Sequence, residues 1–236
     1  SAVAARAGIV TGKGMQPMPT PEAMTIEEIQ SVIEDYRQAA ERCLAAGFEG
    51  SELHCASGYL PGQFLASESN LRDDTYGGSL DNRLRFIGEA IDALASVMGI
   101  GRIGLRISPG NPYNDHIDAD PETTYAGLLK MAEDKGVAWV HAIRMPSTGI
   151  DSLALTRDNY SGALIGSDSY TADEAESCIA NKEVDAVSFG RLYIANPDLV
   201  ARFEANGPFN QMDKRTIYGG EGAAGYTDYP LLSGDA

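Results

Sequence analysis

The order of elements constrains this chain most. Short apolar runs of strand length alternate with longer runs of helical period along most of its 236 residues. GFEGSELH (47–54) reads as a strand, followed by a helix around 82–97. Strand GRIGLRIS (101–108), a helix around 123–135 and strand VAWVHAI (137–143) come next. After an irregular stretch follow strand GALIGS (162–167), a helix opening at Thr171, strand VDAVSFG (184–190) and a helix starting near Asn196 and Pro197. Ahead of the first strand, Thr25 and Glu28 form a capping box. Ile29, Val32, Ile33, Tyr36, Ala40, Cys43 and Leu44 then recur at helical spacing until Gly47. Thr171 with Glu174 repeats the box. Residues 1–24, rich in Gly, Pro, Met and Ala, read as an extended surface segment rather than a folded unit.

Five strands, each followed by a helix, predict a parallel sheet with both faces covered, either doubly wound or closed into a barrel. The strand ends choose between them. Each strand leads at its C-terminal end to polar or glycine residues: His54 then Tyr59, Arg106 with Ser108, His141 with Arg144, Ser167 to Ser169, and Gly190 with Arg191. Chemistry at nearly every strand mouth suits a (β/α)8 barrel, whereas a doubly wound sheet gathers its ligand groups at one switch point. No GxGxxG follows any strand, which argues against dinucleotide binding of the Rossmann kind. A barrel is expected, and five strands cannot close one of eight.

Composition bounds the partners. With 18 Lys and Arg against 34 Asp and Glu the formal net charge is -16, so an extended phosphate backbone is repelled and nucleic acid is excluded as an expected partner. Cys43, Cys55 and Cys178 form an odd set without CxxC spacing, which predicts neither a disulfide framework nor a metal site. No apolar stretch reaches the roughly 18 to 20 residues of a membrane span, and SAVAARAGIV lacks the charged-then-apolar order of a signal peptide. The expected setting is the cytoplasm or another reducing, soluble compartment.

Two constellations hold candidate chemistry. GSDSYT (166–171) and FGRLYIANPDL (189–199) are placed like the loops after the last two strands of a barrel. There, backbone N–H groups and a helix N-terminus receive phosphate, with Arg191 as a charged partner. Ordinary tight turns and a surface ion pair would look alike. HCASGYL (54–60) leaves a strand with a histidine and, five residues on, a tyrosine, both able to donate a hydrogen bond or a proton to a carbonyl compound. A structural histidine and a packed tyrosine fit the same spacing.

The longer motifs are specific. HCASGYLPGQFL, SNLRDDTYGGSLDNRLRF (69–86), GLRISP (104–109), SFGRLYIANPDLVARF (188–203) and YGGEGAAGYTDYP (218–230), in this order, resemble the Old Yellow Enzyme family. The nearest branch is that of the N-ethylmaleimide, pentaerythritol tetranitrate and 12-oxophytodienoate reductases. The resemblance implies that 25–236 is the C-terminal part of a single TIM-barrel flavin domain, about the last five βα units, with the first three supplied by an N-terminal fragment or another chain. It implies FMN as cofactor, NAD(P)H as reductant and an α,β-unsaturated small molecule as substrate, with hydride passing to the β-carbon of the activated alkene. By resemblance His54 and Ser57 bind the substrate carbonyl or nitro oxygen, and Tyr59 donates the proton to the α-carbon. Arg106 lies against the flavin and favours its anionic reduced form. Ser167, Asp168, Ser169, Gly190 and Arg191 hold the FMN phosphate, and Tyr218 lines the substrate side of the flavin pocket.

Two departures carry expectations of their own. Ser57 stands where the family has His or Asn and is too short to reach as far; losing one such donor commonly costs about 2.7–4 kcal/mol of transition-state stabilisation. Asp168 stands where the family has Gly, so its carboxylate must point away from the phosphate or oppose it. The alternative function is a degenerate, non-catalytic homologue serving as a structural or assembly subunit.

Overall fold

A computed structural model describes residues 3–6, 8–11, 13–217 and 222–232. Residues 8–17, read from sequence as extended, double back as an antiparallel hairpin of β1 (Gly8–Thr11) and β2 (Gly14–Pro17). The turn depends on Gly14, whose φ of 86° suits glycine. The hairpin escapes the sequence reading because β2 is exposed throughout, so it carries no apolar alternation.

Helix α1 (Ile26–Ala45) opens at the expected capping box: Thr25 Oγ1 accepts the Glu28 N–H at 3.2 Å and Glu28 Oε2 accepts the Thr25 N–H at 2.7 Å. Then follow β3 (Ser51–His54), the short α2 (Leu60–Leu65) and α3 (Leu80–Met98). Next come β4 (Ile103–Ile107), α4 (Pro121–Lys135) and β5 (Trp139–Ile143). The chain continues through α5 (Ser152–Asn159), β6 (Ala163–Ser167) and α6 (Ala172–Ala180) to β7 (Ala186–Ser188), α7 (Arg191–Ala195) and α8 (Leu199–Glu204).

Three helices were not expected. Helix α5 lies within the irregular stretch between the third and fourth predicted strands; it is short and buries only Ser152 and Thr156, so its periodicity is faint. Its signal is the cap, where Asp151 Oδ1 accepts from the N–H groups of Leu153 and Ala154 at 3.1 and 3.0 Å. Helix α2 has only six residues, yet Phe64 on it stacks on Phe86 of α3 with centroids 4.2 Å apart. The helix expected from Asn196 and Pro197 begins at Leu199, and the short α7 precedes it.

Strands β3 to β7 form one sheet in the order β3-β4-β5-β6-β7, all parallel. Each strand pairs with its successor and the order never reverses. That is the succession of a (β/α)8 barrel; a doubly wound sheet has a switch point instead.

Period-2 alternation sorts the strand residues. Leu53, Ile103, Leu105, Ile107, Val140, Ala142 and Leu164 are buried and share one core with Ile29 of α1, Phe86, Ile87 and Ile91 of α3, and Leu128 of α4. The intervening positions form the other face. There Glu52 is level with Gly104 and Trp139, and His54 is level with Arg106 and His141. Gly104 is small of necessity: a Cβ there would lie 2.0 Å from Cε2 and 2.1 Å from Nε1 of Trp139, whose indole crosses the glycine to donate to Glu52 Oε2 at 2.8 Å.

Two arginines, Arg202 buried and Arg83 largely so, fasten the loops. Arg83 of α3 pairs with Asp118 at 2.9 Å and donates to the Leu65 carbonyl. Arg202 of α8, 2% exposed, pairs with Asp198 at 2.6 Å and donates to the carbonyls of Pro208 and Pro230, tying the C-terminal segment to the barrel units.

Gly104→Ala is expected to lower stability by about 1–3 kcal/mol, the usual cost of overpacking, while Gly101→Ala, with open space around its Cβ, changes little. Urea unfolding checks the pair, and equal effects would contradict the packing described. Arg202→Leu should cost about 1–3 kcal/mol in the same assay, because Asp198 and the carbonyls of Pro208 and Pro230 lose their shared donor. A loss below about 1 kcal/mol would show the anchor to be dispensable.

Candidate active site

The site starts at the C-terminal end of β3. His54 closes the strand, and the chain turns through Ser57 and Gly58, with φ of 57° and 72°. Gly58 is required there, since a Cβ would lie 2.7 Å from the Tyr113 carbonyl oxygen. The turn delivers Tyr59, which caps α2 and is 51% exposed, to a ring-centroid distance of 5.2 Å from His54 at 47°. The two side chains picked from HCASGYL are therefore neighbours at one strand mouth.

Ser57 faces different company. Its N–H donates to Ser108 Oγ at 2.9 Å, its Oγ accepts from Asn111 Nδ2 at 3.3 Å, and its carbonyl accepts from Asn114 Nδ2 at 3.0 Å. The loop after β3 is stitched in this way to the loop after β4. The Ser57 hydroxyl retains its own proton as a donor, with an acceptor position already filled by Asn111.

Below this turn lies a polar network that the sequence reading did not assemble. Glu52 Oε1 and Oε2 both lie 3.1 Å from His141 Nδ1, Trp139 Nε1 donates to Glu52 Oε2, and His141 Nε2 lies 2.7 Å from Ser188 Oγ. A carboxylate only accepts, which puts a proton on Nδ1 of His141. Burial pushes the Glu52 carboxyl up, but the hydrogen bonds from His141 and Trp139 and the charge of Arg106 outweigh it and leave it below its usual range. His54 sits on the same face two residues later. Its partial burial, with the Arg106 cation beside it, holds its pKa below the ordinary value against the opposing pull of Glu52, so the ring is neutral at neutral pH. Spacing of two from His54 was the available signal for Glu52; its partner His141 was named from sequence only as a polar strand end.

Arg106 joins two regions. It is level with His54 in the sheet, and it lines a cleft of about 290 Å³ together with Ser167, Asp168, Ser169, Gly190 and Arg191. All six residues proposed from sequence to hold the cofactor thus border one cavity. Nε of Arg106 is buried without a hydrogen-bond partner, an unsatisfied donor on a residue of the cleft wall.

The turn after β6 has an unusual backbone. Asp168 and Ser169 both adopt positive φ, 76° and 58°. Arg144, which sequence reading noted without a role, donates from Nε and Nη2 to the Asp168 carbonyl at 3.2 and 3.1 Å and stacks 3.4 Å over the Tyr170 ring. The Asp168 carboxylate does not point away from the seat: Oδ1 accepts from Arg191 Nη2 at 2.5 Å, and Oδ2 accepts from Ser169 Oγ at 3.1 Å. Arg106 and Arg191 line the cleft of a chain whose net charge is -16, and Arg144 holds the backbone of the turn beside it. Tyr218 lies outside the described residues. Among the described residues no cluster of three or more His, Cys, Asp or Glu could hold a metal ion, and no helix is long and apolar enough to cross a membrane.

Comparison with known proteins places this geometry. Residues 3–210 match the model of the NADH:flavin oxidoreductase / NADH oxidase family. A probable flavin mononucleotide-dependent alkene reductase from Leishmania infantum is 43% identical over 221 residues, covering 92% of this chain and 60% of that protein. Morphinone reductase in complex with tetrahydroNAD superposes with a TM-score of 0.91 at 39% identity, over 98% of this chain and 65% of the other. An Old Yellow Enzyme homologue from Zymomonas mobilis gives 0.92 at 31% identity, over 98% and 67%. The chain spans about 60% of the length of the curated relatives it matches. With its motifs, its barrel order of strands and the family match over most of its length, the chain belongs to the NADH:flavin oxidoreductase / NADH oxidase family, the Old Yellow Enzyme group that its motifs resemble.

Proposed function

We propose that the protein is an FMN-dependent ene-reductase that reduces an activated alkene at the expense of NAD(P)H. The observation that carries this reading is the position of Arg106. It is level with His54 and also a wall of the cleft bordered by Ser167, Ser169, Gly190 and Arg191, so the carbonyl anchor and the cofactor seat meet on one residue. Relatives described as an alkene reductase and as morphinone reductase bound to tetrahydroNAD support the reaction class and a nicotinamide reductant.

The residues present fit a flavin in two respects: Arg106 keeps a buried Nε without a partner, and Arg106 and Arg191 both line the cleft. When bound, the flavin supplies the hydride that reaches the β-carbon of the substrate. The rest falls to side chains. Neutral His54 donates one N–H to the substrate oxygen and polarises the alkene, and Ser57 adds a shorter-armed hydroxyl whose lone pair Asn111 holds. Tyr59, half exposed and 5.2 Å from His54 by ring centroids, gives its phenolic proton to the α-carbon. The proposal includes three further βα units, from another segment or chain, beside β3 and β7. A closed barrel has no edge strands, and this sheet has two. A non-catalytic role is not favoured, since His54, Tyr59 and Arg106 remain grouped.

Anaerobic stopped-flow measurements on Tyr59→Phe test the assignment. Reduction of bound flavin by NADPH should keep its rate, while reoxidation by an enone should slow by about 10²–10⁴, the usual worth of a positioned acid. Equal slowing of both half-reactions would contradict the role of Tyr59. An undiminished reoxidation would place the proton donor elsewhere.

A further inference from the structure

We infer that Asp168 is a built-in stand-in for the cofactor's phosphate, one that weakens FMN relative to a flavin whose side chain ends uncharged. This rests on the reading of the cleft as a flavin seat. The argument begins with the backbone. Asp168 and its neighbour Ser169 both adopt left-handed φ, 76° and 58°, where glycine would sit without strain. The aspartate is therefore held at a conformational cost. The ion pair it makes does not explain that cost through stability, because both partners are substantially exposed, with 67% of the Arg191 side chain and 41% of the Asp168 side chain accessible.

What the carboxylate does accomplish is occupation. Oδ1 accepts from Arg191 Nη2 at 2.5 Å and Oδ2 from Ser169 Oγ at 3.1 Å, while the same Arg191 nitrogen lies 3.3 Å from Ser169 Oγ. The arginine and the hydroxyl that would meet a phosphate are thus both engaged by one internal anion. Arg144 fixes the turn from behind through two hydrogen bonds to the Asp168 carbonyl, so the side chain is presented by an anchored backbone.

Two consequences follow for a ligand entering the cleft. A phosphate of charge near −1.5 to −2 must displace the carboxylate from Arg191 and then lie beside it, two anions sharing one cation. A riboflavin side chain, which ends in a hydroxyl, meets no such repulsion and can donate to the carboxylate.

Titration of the full-length protein with FMN and with riboflavin, followed by quenching of flavin fluorescence, tests this without reference to turnover. The wild type should bind the two with similar affinity. Asp168→Gly should tighten FMN by about tenfold or more, the scale on which a neighbouring like charge shifts an anion's equilibrium, and leave riboflavin the same or weaker for want of the carboxylate acceptor. Asp168→Asn, which keeps the shape and tolerates positive φ, should give most of that gain. The preference gained by either variant should shrink with added salt, since the pair is exposed. Riboflavin binding with an FMN-to-riboflavin ratio unaltered by either substitution would overturn the stand-in while leaving the flavin seat intact. Failure of every variant to bind either flavin would overturn the flavin reading together with it.

Discussion

One residue in two along each parallel strand is committed to the helix-covered side, and the site depends on that commitment. Leu53, Leu105, Val140 and Leu164 have 3% exposure or less, packed against α1, α3 and α4. A strand has only two sides, so every residue between these must face the opposite one. On β3, β4 and β5 that face carries Glu52, His54, Arg106, Trp139 and His141, chemically the densest part of the protein. A one-residue slip of any strand would exchange core for chemistry, which is why the register is well specified.

The polar face arranges its charges by sheet level. At the lower level Trp139 reaches across Gly104 to Glu52, and at the upper level Arg106 stands between His54 and His141. The carboxylate stays ionised because two N–H donors and a nearby cation compensate for its burial. The same cation, with partial burial, keeps His54 neutral and therefore able to present a single N–H to a carbonyl without becoming an acid itself. At the mouths of β6 and β7 Arg106 and Arg191 line the cleft, with the Asp168 carboxylate paired to Arg191.

Much of this was legible in the sequence because the relevant signals are local. The capping boxes at Thr25 and Thr171 are four-residue patterns and mark real helix starts. Ser167, Asp168, Ser169, Gly190 and Arg191 stand out as strand-end residues, and barrel order brings them to one cleft with Arg106. What escaped depends on contacts between distant residues. Glu52 and His141 meet across 89 positions, and Asn111 reaches Ser57 across 54; neither pairing leaves a trace in the spacing. Helix α5 escaped because its stability comes from an Asp151 cap rather than an apolar stripe, and β2 because all four of its residues are exposed. The direction of the Asp168 side chain is likewise a three-dimensional fact: sequence posed the choice between avoiding and opposing the phosphate, and the geometry chose the arginine.

The central claim is that Arg106 links a substrate site at His54 and Tyr59 to a flavin seat. An anaerobic absorbance experiment on the full-length protein with excess FMN tests it most directly, comparing wild type with Arg106→Gln. The account predicts bleaching of the flavin by NADPH that depends on the protein, recovery on adding an enone, and loss of both in the variant. Absorbance indifferent to the wild-type protein, or a full cycle retained by Arg106→Gln, would contradict it.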